Sequence, residues 1–423
     1  MDTIALGHTD IGRVKDSNED NFLVDKRLRL YVVADGMGGH AAGEVASDTA
    51  VREIRTYVKA HEHLVQAFVE TGEGREKILE LVETSIRKAG RAIFDQAQAD
   101  PAKRGMGTTV VMLLLTPNRG FIGHVGDSRA YLVRGGEVFQ MTEDHSLINE
   151  LIRRGKLRPE DAATAPYKNA VTRAVGVYAD VEVDTLDFEI AAGDNFMLCS
   201  DGLTEHLRDD DEIREVIEGH EFVAVPKTFV ELANARGGKD NITSLVVRVA
   251  AGDDQDSRDT ALKINLLRQM PLFQHLSYVE LVEVLNVSEL RSYADDQPVF
   301  AEGEPGDALY VVLEGRVSIR KGEVELARLG PGGHFGEMAL MDKSERSASA
   351  LAAMPTRLIE IGRKPLFTLM RRDKDIAVKL LWCFVQVLNQ RLRNTSSDLR
   401  DARTDQLDLQ EMLGLEEVVE EAD

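Results

Sequence analysis

The sequence predicts an α+β domain, followed by a small β-barrel or jelly roll and a long C-terminal helix. Short apolar runs alternate with long helical stretches over the first 250 residues. Glycines punctuate residues 295–362 at short intervals, and turn residues stop after 372.

In the first segment the β-rich runs are Leu30–Ala34, Thr109–Leu115, Phe121–Val125, Ala130–Val133, Asn195–Cys199 and Ser244–Val249. The helical stretches include Ala42–Ala60 and Arg75–Ala99. Turns at Pro117-Asn118-Arg119-Gly120 and Arg134-Gly135-Gly136 space the middle strands as hairpins, which favours antiparallel sheets over a doubly wound parallel one. The first domain is therefore drawn as 1–249, a polar linker as 250–262 and the barrel as 263–372. Residues 373–415 read as a long helix and 416–423 as an acidic tail.

Along that helix, positions 381, 385, 388, 392, 395, 399, 402, 406, 409 and 413 step alternately by 4 and 3, and seven of the ten are Leu or Val. Such a seam suits a two-stranded coiled coil and hence a homodimer. Thr395, Ala402 and Gln406 weaken it, and an amphipathic helix packed on its own barrel is the alternative.

The 423 residues carry 51 basic and 73 acidic side chains, a net charge of −22 that repels polyanions and argues against nucleic acid as a partner. Two cysteines, Cys199 and Cys383, sit in apolar runs and read as core residues, not as a disulfide or zinc site. No secretory leader is visible and no apolar run approaches the ~20 residues that span a bilayer, so the expectation is a cytoplasmic protein without a membrane partner.

Several aspartates close apolar strands. Asp35 follows Leu30–Ala34 and precedes Gly36, Asp201 follows Asn195–Ser200 and precedes Gly202, and Asp127 follows Phe121–Val125. Asp240 precedes Asn241, and Glu19-Asp20 lie near the N-terminus. Any one Asp-Gly pair is ordinarily a turn. A series of them at strand ends presents the carboxylates and carbonyls that hard divalent cations such as Mn²⁺ or Mg²⁺ require. A dinucleotide-binding reading of Gly36-x-Gly38 fails because its third glycine would fall on Ala41.

Arg13, Asn18-Glu19-Asp20-Asn21, Asp35-Gly36-Met37, Gly107-Thr108-Thr109, Gly126-Asp127-Ser128-Arg129, Thr172-Arg173-Ala174, Ser200-Asp201-Gly202 and Asp240-Asn241 stand in an order and spacing that resembles the PPM family of metal-dependent serine/threonine protein phosphatases. The resemblance covers about the first 248 residues. It implies a β-sandwich flanked by helices in α-β-β-α layers, two or three Mn²⁺ or Mg²⁺ ions, and phosphoserine and phosphothreonine proteins as substrates. Carried over, Asp35 would bridge two metals, Gly36 would offer its carbonyl, and Asp201 and Asp240 would complete the first metal. Glu19 and Asp20 would hold metal-bound waters, Asp127 with Asp201 a third metal, and Arg13 the phosphoryl oxygens. Met37 stands where many eukaryotic members carry a histidine proposed as general acid, and His40 is nearby in sequence. Residues 145–175 fall where bacterial relatives carry a mobile flap.

Residues 272–367 resemble the cyclic nucleotide-binding domain family, through Gly303, Gly306-Asp307, Glu314-Gly315 and the cassette Gly336-Glu337-Met338-Ala339…Arg346-Ser347-Ala348. The resemblance implies that Arg346 pairs with the cyclic phosphate, helped by Ser347, and that Glu337 accepts the ribose hydroxyl. Thr395-Ser396 resembles a pair that contacts adenine in a bacterial catabolite activator. The expected ligand is cAMP, with cGMP the alternative. The chain thus reads as a bacterial metal-dependent protein phosphatase tuned by cyclic nucleotide. The competing reading is a nucleotide-dependent scaffold with a weak or constitutive phosphatase domain.

Overall fold

The computed structural model describes residues 2–38, 42–165, 170–250, 255–341 and 345–413. His40 and the acidic tail 416–423 lie outside the described residues. The chain divides into two compact units, Met1–Ala261 and Leu262–Asp423.

The first unit is built on two antiparallel sheets. One takes the order β1 (Thr3–Asp10), β11 (Ile242–Val249), β10 (Asn195–Cys199), β7 (Arg129–Arg134) and β8 (Glu137–Gln140). The other takes the order β2 (Asp20–Asp25), β3 (Leu30–Met37), β5 (Val110–Leu115), β6 (Arg119–Val125) and β9 (Asp184–Glu189), with the short β4 (Gly107–Thr108) also on β3. Every ladder is antiparallel, which settles against a doubly wound fold. Residues 30–34 are buried on both faces. Leu30, Val32 and Ala34 join a core with α1 (Ala42–Ala60) and α3 (Arg75–Ala99), while Tyr31 and Val33, of opposite parity, turn toward the other sheet.

Helix α1 makes that approach with Ala42, Ala46, Ala50, Ile54 and Val58, a four-residue spacing whose small first members let its N-terminal turns lie close to the strands. On the far side, α6 (Asp211–Gly219) and α7 (Val225–Ala235) cover the first sheet through Ile213, Val216, Ile217, Phe229 and Val230. Cys199 is buried in this core, and burial pushes its thiol up to about 12, so it behaves as a small hydrophobe.

Helices α1 and α3 span the residues the periodicity assigns, Ala42–Ala60 and Arg75–Ala99. Strands β1, β2, β8 and β9 were not among the runs read from the sequence. The polar stretch after 250 is helical from Gln255 to Gln269 (α8). Thr260 is buried there and donates a 2.8 Å hydrogen bond to Glu189 Oε2, so the linker's second half belongs to a packed element.

The second unit pairs two four-stranded antiparallel sheets, as expected for a jelly roll. One contains Ser288–Tyr293, Thr356–Gly362, Ala308–Glu314 and His334–Phe335; the other contains Pro298–Phe300, Ser349–Ala352, Val317–Lys321 and Val324–Leu329. Tyr310, Val312, Val317, Phe335, Ala350 and Leu358 form its core. Two helices close the chain, Arg363–Arg372 and the 40-residue Lys374–Leu413. On the latter, Ile376, Leu380, Cys383 and Phe384 are buried, whereas Leu381, Val385, Leu388 and Leu392 stay exposed. The inner face packs on its own unit, and the proposed seam is left outside.

Candidate active site

The acidic residues come from separate segments of the chain. The β2–β3 hairpin sets Asp20 opposite Asp35, Asp201 follows β10, Asp240 precedes β11 and Asp127 follows β6. Glu19, Asp35, Asp127, Asp201 and Asp240 thereby line one cleft of about 660 Å³, with Gly36, Met37, Lys15 and Val171. Asn241 ties the N-terminal loop to this end of the sandwich. Its Nδ2 donates to the Ile11 and Ser17 carbonyls at 3.0 and 2.9 Å, and its Oδ1 accepts from the Glu19 backbone N–H at 2.9 Å.

Asp35 is seated by its own backbone. Its N–H donates to Thr109 Oγ1 at 3.1 Å, and its carbonyl accepts from the Thr109 N–H and Thr108 Oγ1, both at 2.8 Å. Gly36 next to it has no room for a side chain: a Cβ would lie 2.2 Å from the Gly43 carbonyl and 2.6 Å from that of Glu19.

The electrostatics of the cleft, which Asp16 also lines, are adverse to six carboxylates alone. Burial pushes the Asp201 carboxyl up to about 6 and that of Asp127 to about 7, with Asp240 raising the former and Asp201 the latter. Burial and the charges of Asp20 and Asp201 hold Asp35 well above the carboxylate range. Among the lining residues, Lys15 is the basic one, and its Nζ sits 2.5 Å from Asp240 Oδ1. A further positive charge suits this donor set, and Asp201 Oδ1 is buried without a hydrogen-bond partner, as an oxygen available to a cation would be. Among the described residues no three His, Cys, Asp or Glu side chains form a ready-made ion cage. The carboxylates ring the cleft instead of converging.

Two expected site residues are not among those that line the cleft. Arg13 is exposed and does not line the cleft; its backbone N–H donates to the Gly238 carbonyl at 2.7 Å, just after the Gly12 turn. Lys15, which the motif reading passed over, lines the cleft. Asp20 does not line the cleft either. It is buried, with Oδ2 accepting from Ser200 Oγ at 2.7 Å and Thr243 Oγ1 at 2.6 Å, while Oδ1 has no partner. Burial lifts its carboxyl to about 7 against those two donors. Its visible role is to hold the two sheets together behind the cleft.

In the second unit, Gly336, Glu337, Met338, Arg346, Ser347 and Ala348 line a cavity of about 290 Å³ whose remaining wall is largely apolar, with Phe300, Ile319, Ala327, Leu329 and Phe335. Arg346 is buried. Its Nη1 donates to the carbonyls of Ala308 at 3.0 Å and Gly336 at 3.3 Å, and its guanidinium lies 4.0 Å from the Phe300 ring centroid. Nε is buried with no partner, and among the described residues no carboxylate pairs with this charge. A buried, incompletely satisfied guanidinium is the donor set for an anion. Gly336 makes room for it, since a Cβ there would stand 2.6 Å from Nη1. The side chains of Ala339 and Thr395 lie outside the described residues. Ser396 is exposed and not in the cavity wall, 22 residues and roughly 33 Å of helix rise beyond Lys374.

Comparison with known proteins matches a family to each of the two units. The protein phosphatase 2C family model matches residues 12–237, and that for the cyclic nucleotide-binding domain matches residues 290–373. The serine/threonine phosphatase stp of Listeria innocua is 39% identical over 243 residues, 56% of this chain and 93% of that one. Protein phosphatase PhpP of Streptococcus pneumoniae is 36% identical over 249 residues, 58% of this chain and 97% of that one. Among solved structures, the Mycobacterium tuberculosis serine/threonine phosphatase PstP/Ppp aligns with a TM-score of 0.52 at 34% identity, covering 59% of this chain and all of that one. Stp1 of Staphylococcus aureus aligns at 0.52 and 31%, covering 58% and 95%. The chain belongs to the protein phosphatase 2C family and carries a cyclic nucleotide-binding domain after its phosphatase domain. Among the described residues no helix is long and apolar enough to cross a membrane.

Proposed function

We propose that this protein hydrolyses phosphoserine and phosphothreonine in cytoplasmic proteins and that a cyclic nucleotide, preferentially cAMP, tunes the rate. The observation that carries the first part is the cleft: six carboxylates, Asp16 among them, and one lysine around a space large enough for a phosphorylated side chain. Asp35, Asp201, Asp240, Glu19 and Asp127, with the Gly36 carbonyl, would hold Mn²⁺ or Mg²⁺. Such an ion supplies Lewis acidity, making water a stronger acid and offsetting phosphoryl charge. Lys15 binds a phosphoryl oxygen and balances Asp240 when the substrate is gone. Met37 lines the cleft and has no proton to give, so the leaving alkoxide is protonated from solvent or another group.

Arg346 supports the second part, as a buried cation short of partners in a cavity whose polar end suits a cyclic phosphate and whose apolar wall suits a purine. Guanine carries more polar edge groups to desolvate against such a wall, which favours adenine. The exposed stripe Leu381, Val385, Leu388 and Leu392 is where a second copy would pack in a parallel coiled coil; sedimentation would then give twice the chain mass.

The test is the initial rate of phosphothreonine-peptide hydrolysis with Mn²⁺, titrated separately with cAMP and cGMP. A saturable change with cAMP supports the reading. A metal-dependent rate indifferent to both nucleotides refutes the regulatory half, and no metal-dependent rate refutes the whole.

A further inference from the structure

His145 sits where four segments meet. Its backbone N–H donates to the Gly126 carbonyl at 2.7 Å, and its Nδ1 accepts from the Gly126 N–H at 3.0 Å, so a single residue clasps both polar groups of the glycine before Asp127. With Nδ1 accepting, a neutral ring carries its proton on Nε2, which lies 3.0 Å from Asp184 Oδ2 and 3.2 Å from Arg173 Nη1. Asp184 in turn accepts from Arg173 Nη1 at 2.6 Å. Burial would raise the Asp184 carboxyl, but His145 and Arg173 outweigh it and hold it at about 2.

The excursion that starts after His145 also returns to it. The Thr172 N–H donates to the His145 carbonyl at 2.7 Å, the Leu147 N–H donates to the Ala170 carbonyl at 2.8 Å, and Ser146 and Val171 form a bridge between them. Both ends of the 147–170 segment are therefore zipped at one point, and Val171 lines the catalytic cleft beside Asp127. Ser146, Ile148 and Asn149 line an adjoining cavity of about 370 Å³ that shares Asp127 and Asp201 with that cleft. Asp144, next in the chain, is clamped by Arg129 with three contacts of 2.7–3.1 Å. Gly126 cannot shift toward its other side, because even a Cβ would lie 2.6 Å from Thr109, the residue that seats Asp35.

We infer that His145, anchored by Asp184 and Arg173, is a positioning residue that sets the root of the 147–170 segment against the Asp127 loop and so shapes the ground on which the peptide around the phosphorylated residue is held. The inference rests on the phosphatase reading of the cleft. Its signature is selectivity: a small aryl phosphate needs only the cleft, whereas a peptide also needs the adjoining surface.

The experiment compares kcat/KM for a phosphothreonine peptide and for 4-nitrophenyl phosphate, with Mn²⁺, in the full-length protein and its His145→Ala, Asp184→Ala and doubly substituted variants. Each single variant should lower the peptide-to-aryl ratio about tenfold, about 1.4 kcal/mol, mainly through the peptide KM. The double variant should lower it no further, because both substitutions break one unit. His145→Asn keeps an acceptor for Gly126 and loses the reach to Asp184, so it should behave as Asp184→Ala does and serves if the alanine variant does not fold. An unchanged ratio, single effects that multiply, or equal loss on both substrates overturns the inference. Absence of Mn²⁺-dependent hydrolysis of both substrates by the unaltered protein would instead strike at the reading of the cleft itself.

Discussion

Replacing Asp127 by Asn should stabilise the metal-free protein, and the gain should grow with pH. Burial, then the charges of Asp201 and Asp144, hold the Asp127 carboxyl at about 7 instead of 3.8. A carboxyl displaced upward keeps its proton more tightly in the folded chain than in the unfolded one. Stability is therefore full below about pH 3.8 and is lost as pH rises through 7. At 1.36 kcal/mol per pH unit the displacement sets a ceiling of about 4 kcal/mol, of which about 1.6 is lost by pH 5 and about 2.7 between pH 5 and 8. Water reaching the open cleft lowers that ceiling. Asparagine is uncharged at every pH and avoids the loss. By calorimetry of the chelated protein, the transition of the phosphatase domain should move up in D127N by several degrees more at pH 8 than at pH 5, at about 2–4 °C per kcal/mol for a domain of this size. A gain independent of pH, or a loss at pH 8, would refute the electrostatic account of the cleft.

Lys15→Ala should lower kcat/KM on a phosphothreonine peptide at least about tenfold, as expected for a charge aimed at the phosphoryl group. Arg13→Ala, at an exposed position away from the cleft, should leave it within about twofold. Steady-state kinetics of the two variants side by side decide between them. Arg346→Ala should weaken cyclic nucleotide binding at least about tenfold, about 1.4 kcal/mol, by isothermal calorimetry, with the Mn²⁺-dependent basal rate retained. An equal affinity would remove Arg346 from the site.

Much of this was legible in the chain because its signals are local. Helices α1 and α3 announce themselves by apolar residues at four-residue spacing, and the central strands by unbroken Val and Leu runs. Strand β1 is harder: Thr3–Asp10 carries Gly7, His8 and two further polar residues at its end, and only pairing along the whole of β11 makes it a strand. The acidic set was readable because Asp35, Asp127 and Asp201 each follow an apolar run. What could not be read is which way a loop turns. Gly12, with φ +85°, packs so tightly that a Cβ would lie 2.2 Å from the Asp240 carbonyl. Beyond that reversal Arg13 faces solvent and Lys15 reaches Asp240, two positions the motif alone does not separate. Asp20 entered the expected metal set through the family resemblance, and its hydrogen bonds to Ser200 and Thr243, 180 and 223 residues away, leave no mark in the local sequence. The grip of His145 on Gly126 joins positions 19 apart through a hydrogen bond to a ring nitrogen, which leaves no trace in composition or spacing.

The central claim is that the strand-end carboxylates form one catalytic centre in a protein whose nucleotide site is separately built. Asp201→Asn tests it most directly, with hydrolysis of a phosphothreonine peptide in Mn²⁺ and calorimetric nucleotide affinity measured on the same preparation. The account predicts that turnover falls to background while nucleotide affinity is unchanged. Turnover equal to that of the unaltered protein would contradict it.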